Sequence, residues 1–133
     1  MSPDATLEDK AQLGLSTEAS ADLDRIKDDL KLAERVDGYR FAIAVALAKG
    51  LAPTPERVSR GTSYSATGTL DTDGSLRAAV LALRDDHEGR PYALIERLAE
   101  AGLKDLVAHL DSGLPLRDYL APLVPSALSG DPG

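Results

Sequence analysis

A helix that is apolar on nearly every side must be covered by other protein, and YRFAIAVALAK predicts such a helix from Tyr39 to Lys49. Arg40 is the one strongly polar residue inside it. Gly50 stands at the expected C-terminal position and Pro53 follows, which is a common way for a helix to end. In a chain of 133 residues, this helix either forms the centre of the core or is shared with another copy of the chain.

The composition predicts a single, mainly α-helical domain. Hydrophobic residues make up 43% of the chain and charged residues 28%, which is typical of globular proteins. Only 4% is aromatic and there is no Trp, so the core must consist mainly of Leu, Ala, Val and Ile, which favours helix packing over a β-sandwich. The chain has no cysteine, which excludes disulfides, thiolate zinc sites and cysteine nucleophiles.

The N-terminal residues and the charge predict a cytoplasmic protein without a membrane segment. Met1 to Lys10 is polar and lacks the basic and apolar regions of a signal peptide. The longest apolar run, Phe41 to Ala48, is far shorter than the roughly 20 residues that cross a bilayer. The net charge of −7 repels phosphate backbones, so contact with nucleic acid would require a local basic patch or a basic partner.

The first half of the sequence predicts an arm followed by two helices. Residues 1–9 are polar and are expected to form a flexible tail. Lys10 to Leu15 alternates polar and apolar residues, which is typical of a short strand or an extended arm. The apolar spacing then predicts a helix from about Thr17 to Glu34, capped by Ser16 or Thr17. The pair Asp37-Gly38 interrupts the pattern and is interpreted as a turn before the apolar helix or as a cap of that helix.

The second half predicts an irregular loop and then a cluster of short helices. Residues 54–74 are rich in Gly, Pro, Ser and Thr and are expected to form the loop, with one short strand around Ser63 to Leu70. Residues 75–124 show helical spacing, with Pro91 opening a helix and Gly102 and Gly113 as stops. The expected helices run from about Leu76 to Asp86, from Pro91 to Gly102, from Leu103 to Leu110, and from Leu116 to Leu123. Residues 10–124 would then form one domain, of which 10–53 is a helix-turn-helix-like half, and residues 125–133 a second flexible tail.

No set of residues predicts a catalytic, cofactor or metal site. Asp105 and His109 share a helix face, but no third ligand is spaced to join them, so His109 is interpreted as a surface residue. His87 lies in an acidic connection and is interpreted in the same way. No GxSxG or SxxK motif surrounds the serines of Ser63 to Ser65. The run from Gly68 to Gly74 lacks the length and the closing Glu of a calcium loop, so it is interpreted as a turn.

Arg40 is the charged residue that most needs an explanation. A charge in an apolar helix needs a partner. Arg40 either reaches solvent or pairs with Asp37, or it lies at a subunit interface or binds a phosphate. The predicted interface residues of this helix are Tyr39, Arg40, Phe41, Ile43, Val45 and Leu47.

The order of extended segment, amphipathic helix, turn and apolar helix from Lys10 to Gly50 resembles ribbon-helix-helix proteins. Within that group, LSTEASADLDRIKDDL followed by YRFAIAVALAKGLAP is similar to DndE, the small accessory subunit of bacterial DNA phosphorothioation systems. The resemblance implies that Lys10 and Gln12 project from a paired ribbon toward base edges, and that the start of the second helix meets a phosphate. Asp37 occupies that helix start, where a neutral or basic donor is expected.

Two functional hypotheses follow. The first is a non-enzymatic, oligomerising interaction protein, an accessory subunit of a bacterial nucleic-acid system of the DNA modification or defence type. Its partners would be further copies of the chain, as a dimer or a larger oligomer, and a larger protein. The alternative is a ribbon-helix-helix transcriptional regulator that contacts DNA through Lys10, Gln12 and Arg40.

Overall fold

The computed structural model of this chain describes residues 9–55, 63–114 and Tyr119. The described part is mainly helical, as predicted, with one short two-stranded sheet. A π-helical turn, Ala66–Leu70, follows the second strand. The elements are β1 Gln12–Gly14, α1 Thr17–Leu30, α2 Arg35–Lys49, β2 Ser63–Ser65, α3 Ser75–Leu83 and α4 Pro91–Asp111.

Helix α1 begins as predicted and ends four residues earlier than expected. The Ser16 side chain accepts a hydrogen bond from the Ala19 backbone N–H at 3.2 Å, which caps the first turn. At the other end Lys31 adopts a left-handed conformation with φ 55°. The Leu32 N–H then bonds to the Lys27 carbonyl at 2.9 Å, which closes the helix as a Schellman-type end does.

Helix α2 begins at Arg35, four residues before the predicted Tyr39, so Asp37-Gly38 lies inside the helix and caps it rather than turning the chain. The Asp37 carboxylate accepts from the Glu34 backbone N–H at 3.1 Å and thereby caps the helix from within its first turn. A Cβ at Gly38 would lie 2.7 Å from Leu23 Cδ1, so this glycine makes room for α1. The end of the helix is as predicted, with Gly50 left-handed at φ 63°.

Helix α4 is continuous over 21 residues, so the predicted stop at Gly102 is wrong. Pro91 opens it as expected. Gly102 is buried where α4 crosses α2, and a Cβ there would lie 2.0 Å from the Ala42 carbonyl oxygen. The absent side chain allows the two backbones to approach each other. This contact between α2 and α4 is the most extensive in the fold.

The two strands form an antiparallel ribbon within one chain. Leu13 pairs with Tyr64, and Gln12 pairs with Ser65. β1 lies inside the predicted extended segment, and β2 lies in the predicted middle loop at the start of the strand expected there. Leu13 and Leu15 are buried in the core, which also contains the inner faces of all four helices.

Asp9 belongs to the folded domain, although residues 1–9 were expected to be a flexible tail. Its two carboxylate oxygens accept from the backbone N–H groups of Tyr92, at 2.7 Å, and Ala93, at 2.9 Å. Asp9 therefore caps the N-terminus of α4.

Three predictions fall on residues outside the described part of the chain. They are the helix around Leu116 to Leu123, of which only Tyr119 is described, the tail 125–133, and residues 56–62 of the loop.

Candidate interaction surface

Three of the six predicted interface residues lie in the core of the chain itself. Tyr39, Ile43 and Val45 are buried, because α1 and α4 cover that side of α2. They are not available to a partner in this structure. Phe41 and Leu47 are partly buried at the edge of the core.

Arg40, the remaining candidate on this helix, is partly exposed and binds backbone carbonyls of the same chain. Its Nε donates to the Leu70 carbonyl at 2.9 Å and its Nη2 to the Thr69 carbonyl at 2.6 Å. Nη1 lies 3.3 Å from an Asp37 carboxylate oxygen, which is the pairing that the sequence offered as one alternative. The guanidinium group thus fastens the π-helical turn to α2, and in this arrangement its donors point into the chain.

The two residues predicted to read DNA from a ribbon are placed differently from each other. Lys10 Nζ lies 2.7 Å from Glu96 Oε1, so its charge is paired within the chain. Gln12 is exposed on β1.

Both edges of β1 are occupied within the chain. One edge of β1 pairs with β2, and at the other edge the Gly14 N–H donates to Glu96 Oε2 at 2.8 Å. The Tyr39 hydroxyl donates to the Gly14 carbonyl on that same edge at 3.3 Å.

Two buried carboxylates on α4 join that helix to the start of the chain. Besides the bonds of Glu96, the Glu100 carboxylate accepts from the Ser16 backbone N–H at 2.7 Å, just before α1. Burial, followed by the charges of Glu96 and Glu100, raises the pKa of Tyr39 well above its ordinary value. Glu96 and Glu100 are four residues apart beside an apolar stripe, but this spacing alone does not show that both carboxylates are buried.

A third buried carboxylate, Asp71, organises the start of α3. It accepts from the backbone N–H groups of Leu76, at 2.9 Å, and Arg77, at 3.0 Å, and from the Tyr92 hydroxyl at 2.9 Å. Burial and this hydrogen bond raise the pKa of Tyr92 to about 12. The sequence placed Asp71 in a loop and gave no sign of its bond to Tyr92, because Tyr92 lies on another helix.

Asp105 and His109 do lie together, with Lys49 and Tyr119 beside them. Asp105 forms an ion pair with Lys49 and accepts from the Tyr119 hydroxyl at 2.5 Å. Burial by itself would raise the pKa of Asp105, but the hydrogen bonds from Lys49 and Tyr119 lower it. The Lys49 ammonium lies 4.4 Å from the centre of the Tyr119 ring, and the His109 ring 4.9 Å from it. The arrangement anchors Tyr119 on α4 through hydrogen bonding, a tilted ring contact and a cation–π contact.

The remaining candidates make local contacts. His87 Nδ1 accepts from the Gly89 N–H at 3.1 Å. Ser65 Oγ accepts from the Gly68 N–H at 3.0 Å, and Asp73 Oδ1 accepts from the Ser75 N–H at 3.0 Å. Among the described residues, no group of three or more His, Cys, Asp or Glu side chains is arranged to hold a metal ion.

Helix α3 presents the apolar surface that the sequence analysis did not identify. Val80 is its one buried residue. Leu81 is 40% exposed and Leu83 is 67% exposed. The sequence SLRAAVLAL is apolar on most sides, so helical spacing alone did not show which of its faces would remain in contact with water.

Comparisons with known proteins do not assign this chain to a family. No family model, curated protein or solved structure matched it. The resemblance of Lys10 to Gly50 to ribbon-helix-helix and DndE-like proteins therefore stays a prediction. No helix in the described ranges is long and apolar enough to cross a membrane.

Proposed function

We propose that this chain is a non-enzymatic interaction subunit that binds further copies of itself and a larger protein. The assignment to a bacterial, cytoplasmic system of the DNA modification or defence type depends on the resemblance of Lys10 to Gly50 to DndE-like proteins. The interaction role depends on the surface of α3. The cellular system and the interaction role therefore depend on different observations, and different experiments test them.

The observation that carries the interaction role is the exposure of two large apolar side chains on one short helix. Leu81 and Leu83 are 40% and 67% exposed, on a helix with one buried residue. Burying an apolar side chain contributes roughly 1.5–3 kcal/mol, so a helix that leaves leucines in water gains little from its own fold. The two leucines are two residues apart, so they point to different sides of α3, and a partner that covers either side would remove a large apolar side chain from water.

The contacts of the predicted DNA-reading residues make the regulator alternative less favourable. Lys10 would have to leave Glu96, and Arg40 would have to leave two carbonyl groups, before either could meet a nucleic acid. Breaking such charge-assisted bonds costs free energy that the DNA contact would need to exceed. The intrachain pairing of β1 with β2 also occupies one edge that a ribbon from a second copy would use.

The interaction role is tested by purifying the tagged full chain from its native host. We expect a larger protein to co-purify with the wild type and to be lost with Leu83→Glu, because a carboxylate would enter an apolar contact. Leu114→Glu is the matched control, since Leu114 is 55% exposed and lies beyond α4. Equal recovery of partners with both variants, or no partner with the wild type, would contradict the proposal.

The DNA alternative is tested on the isolated chain by a duplex gel shift at several salt concentrations. We expect no shift at physiological salt, because the net charge of −7 repels the backbone and Lys10 is paired. A sub-micromolar, salt-sensitive shift that disappears in Lys10→Ala would favour the regulator. Circular dichroism of Lys10→Ala serves to verify that the variant remains folded.

A further inference from the structure

The outer face of α3 consists of small and apolar side chains. Ala78, Leu81 and Ala82 are exposed and are spaced by three and four residues, so they lie on one face of the helix. Val80 points the opposite way, into the core. The two alanines on either side of Leu81 leave room for a second backbone to approach closely.

The charges at the two ends of this face are of opposite sign. Arg77 lies in the first turn of α3, and Asp85 lies just after its end. Both are exposed, and within the described part of the chain neither side chain is in an ion pair. Asp85 follows the helix, whose last residue is Leu83, and its charge acts on the adjacent Arg84. An antiparallel copy of α3 would bring Arg77 to the end of the helix that Asp85 follows, so the two charges would attract each other.

We propose that α3 of a second copy of this chain packs antiparallel against this face, around a two-fold axis near Leu81. A two-fold interface brings the same patch of both copies together, so each contact occurs twice. Arg77 would then lie beside Asp85 of the partner subunit, and the reverse pair would form at the other end. The inference rests on the proposed interaction role and names the partner that α3 takes.

The size of this face limits how tightly two copies of the chain can associate. A helix of nine residues is about 13 Å long, and a stable interface buries about 800 Å² on each partner. One short helix supplies less than that area. We therefore expect a weak dimer that forms with rising concentration, and the pairing of Arg77 with Asp85 selects its orientation.

The first test is a charge exchange followed by sedimentation equilibrium. Wild-type protein should pass from monomer to dimer between about 5 and about 500 µM, the range of weak interfaces. Arg77→Glu and Asp85→Arg should each raise the dissociation constant about tenfold or more, because each places like charges opposite one another. The double variant should return to within about threefold of wild type, because the pair is restored with reversed signs. Leu114→Glu, which alters an exposed leucine elsewhere, should not change the constant.

The second test uses the absence of cysteine from the chain. Ala82→Cys places a single thiol on the proposed face, and it should form a disulfide-linked dimer under mild oxidation. Ala21→Cys, at an exposed position of α1, is the matched control and should cross-link much more slowly.

The outcomes separate this inference from the proposed function. A wild type that remains monomeric throughout the concentration range overturns the self-pairing. If it is monomeric but Leu83→Glu still loses the larger partner, the interaction role stands and α3 serves that protein instead. A dimer that both charge variants leave unchanged, or that the double variant fails to restore, also overturns the antiparallel arrangement. Thermal melting of each variant should match wild type within a few degrees, since all the altered side chains are exposed.

Discussion

At the scale of single residues, acidic side chains determine where the helices begin. The first backbone N–H groups of a helix have no partner within it, and a carboxylate is a strong acceptor for them. Asp9 serves α4 in this way, Asp71 serves α3, and Glu100 bonds to Ser16 just before α1. Part of the net charge of −7 is therefore structural and is directed inward.

We expect Asp71→Ala to lower the free energy of unfolding by roughly 3 kcal/mol, because it leaves two backbone donors and the Tyr92 hydroxyl without their acceptor. Asp73→Ala is the matched control, just before the same helix. Asp73 is exposed and accepts one N–H, from Ser75, so its loss should cost about 1 kcal/mol or less. Urea unfolding monitored by circular dichroism measures both values, and equal costs would contradict the role of Asp71.

The sequence predicted caps only where donor and acceptor are neighbours. Ser16 was identified because it precedes the N–H that it binds by three residues. Asp71 and Tyr92 are 21 residues apart, and Asp9 is 83 residues from the N–H of Tyr92. Those pairings exist only after the helices have packed, so no local pattern could reveal them.

At the scale of elements, the fold depends on how closely α2 and α4 approach. Gly102 lies at their crossing, where its missing side chain leaves space for the Ala42 carbonyl. Glycine costs an isolated helix up to about 1 kcal/mol relative to alanine. The packing between the two helices, which is the most extensive in the fold, offsets that cost.

We expect Gly102→Ala to destabilise the protein by roughly 3 kcal/mol or more, although alanine is the better helix former. The new Cβ would lie 2.0 Å from backbone, which cannot move without separating the helices. Gly38→Ala is the control, because its Cβ would meet the end of the Leu23 side chain at 2.7 Å, which can rotate away. The urea concentration at the midpoint of unfolding should be well below that of Gly38→Ala for Gly102→Ala. The reverse order would show that the close approach of the α2 and α4 backbones does not stabilise the fold.

These two glycines also explain which element boundaries the sequence could predict. Gly50 was correctly predicted as a helix end, because a left-handed residue after an apolar run is a local feature. Gly102 was interpreted as a stop by the same rule, and Gly38 as part of a turn or a cap, but both glycines lie within helices that need a small residue at a contact. A single sequence does not distinguish a glycine required by its own backbone from one required by a neighbouring element.

At the scale of the whole molecule, tyrosine hydroxyls connect elements that are distant in the sequence. Tyr39 on α2 bonds to Gly14, Tyr92 on α4 bonds to Asp71, and Tyr119 bonds to Asp105. The chain contains four tyrosines, and burial is the largest cause that raises the pKa of each of them. Every phenol is therefore held in its neutral form by the folded structure.

We expect the protein to unfold in alkaline solution when these phenols ionise. A pKa that is higher in the folded state contributes stability below the unfolded value of about 10, and that stability is lost as the pH rises toward the folded value, which is about 12 for Tyr92. The near-ultraviolet absorbance of tyrosinate should rise in one steep step together with the loss of helical circular dichroism. In denaturant, all four tyrosines should instead titrate near pH 10. Ionisation of two or more phenols near that pH, with the helical signal intact, would show that the hydroxyl contacts do not hold the elements together.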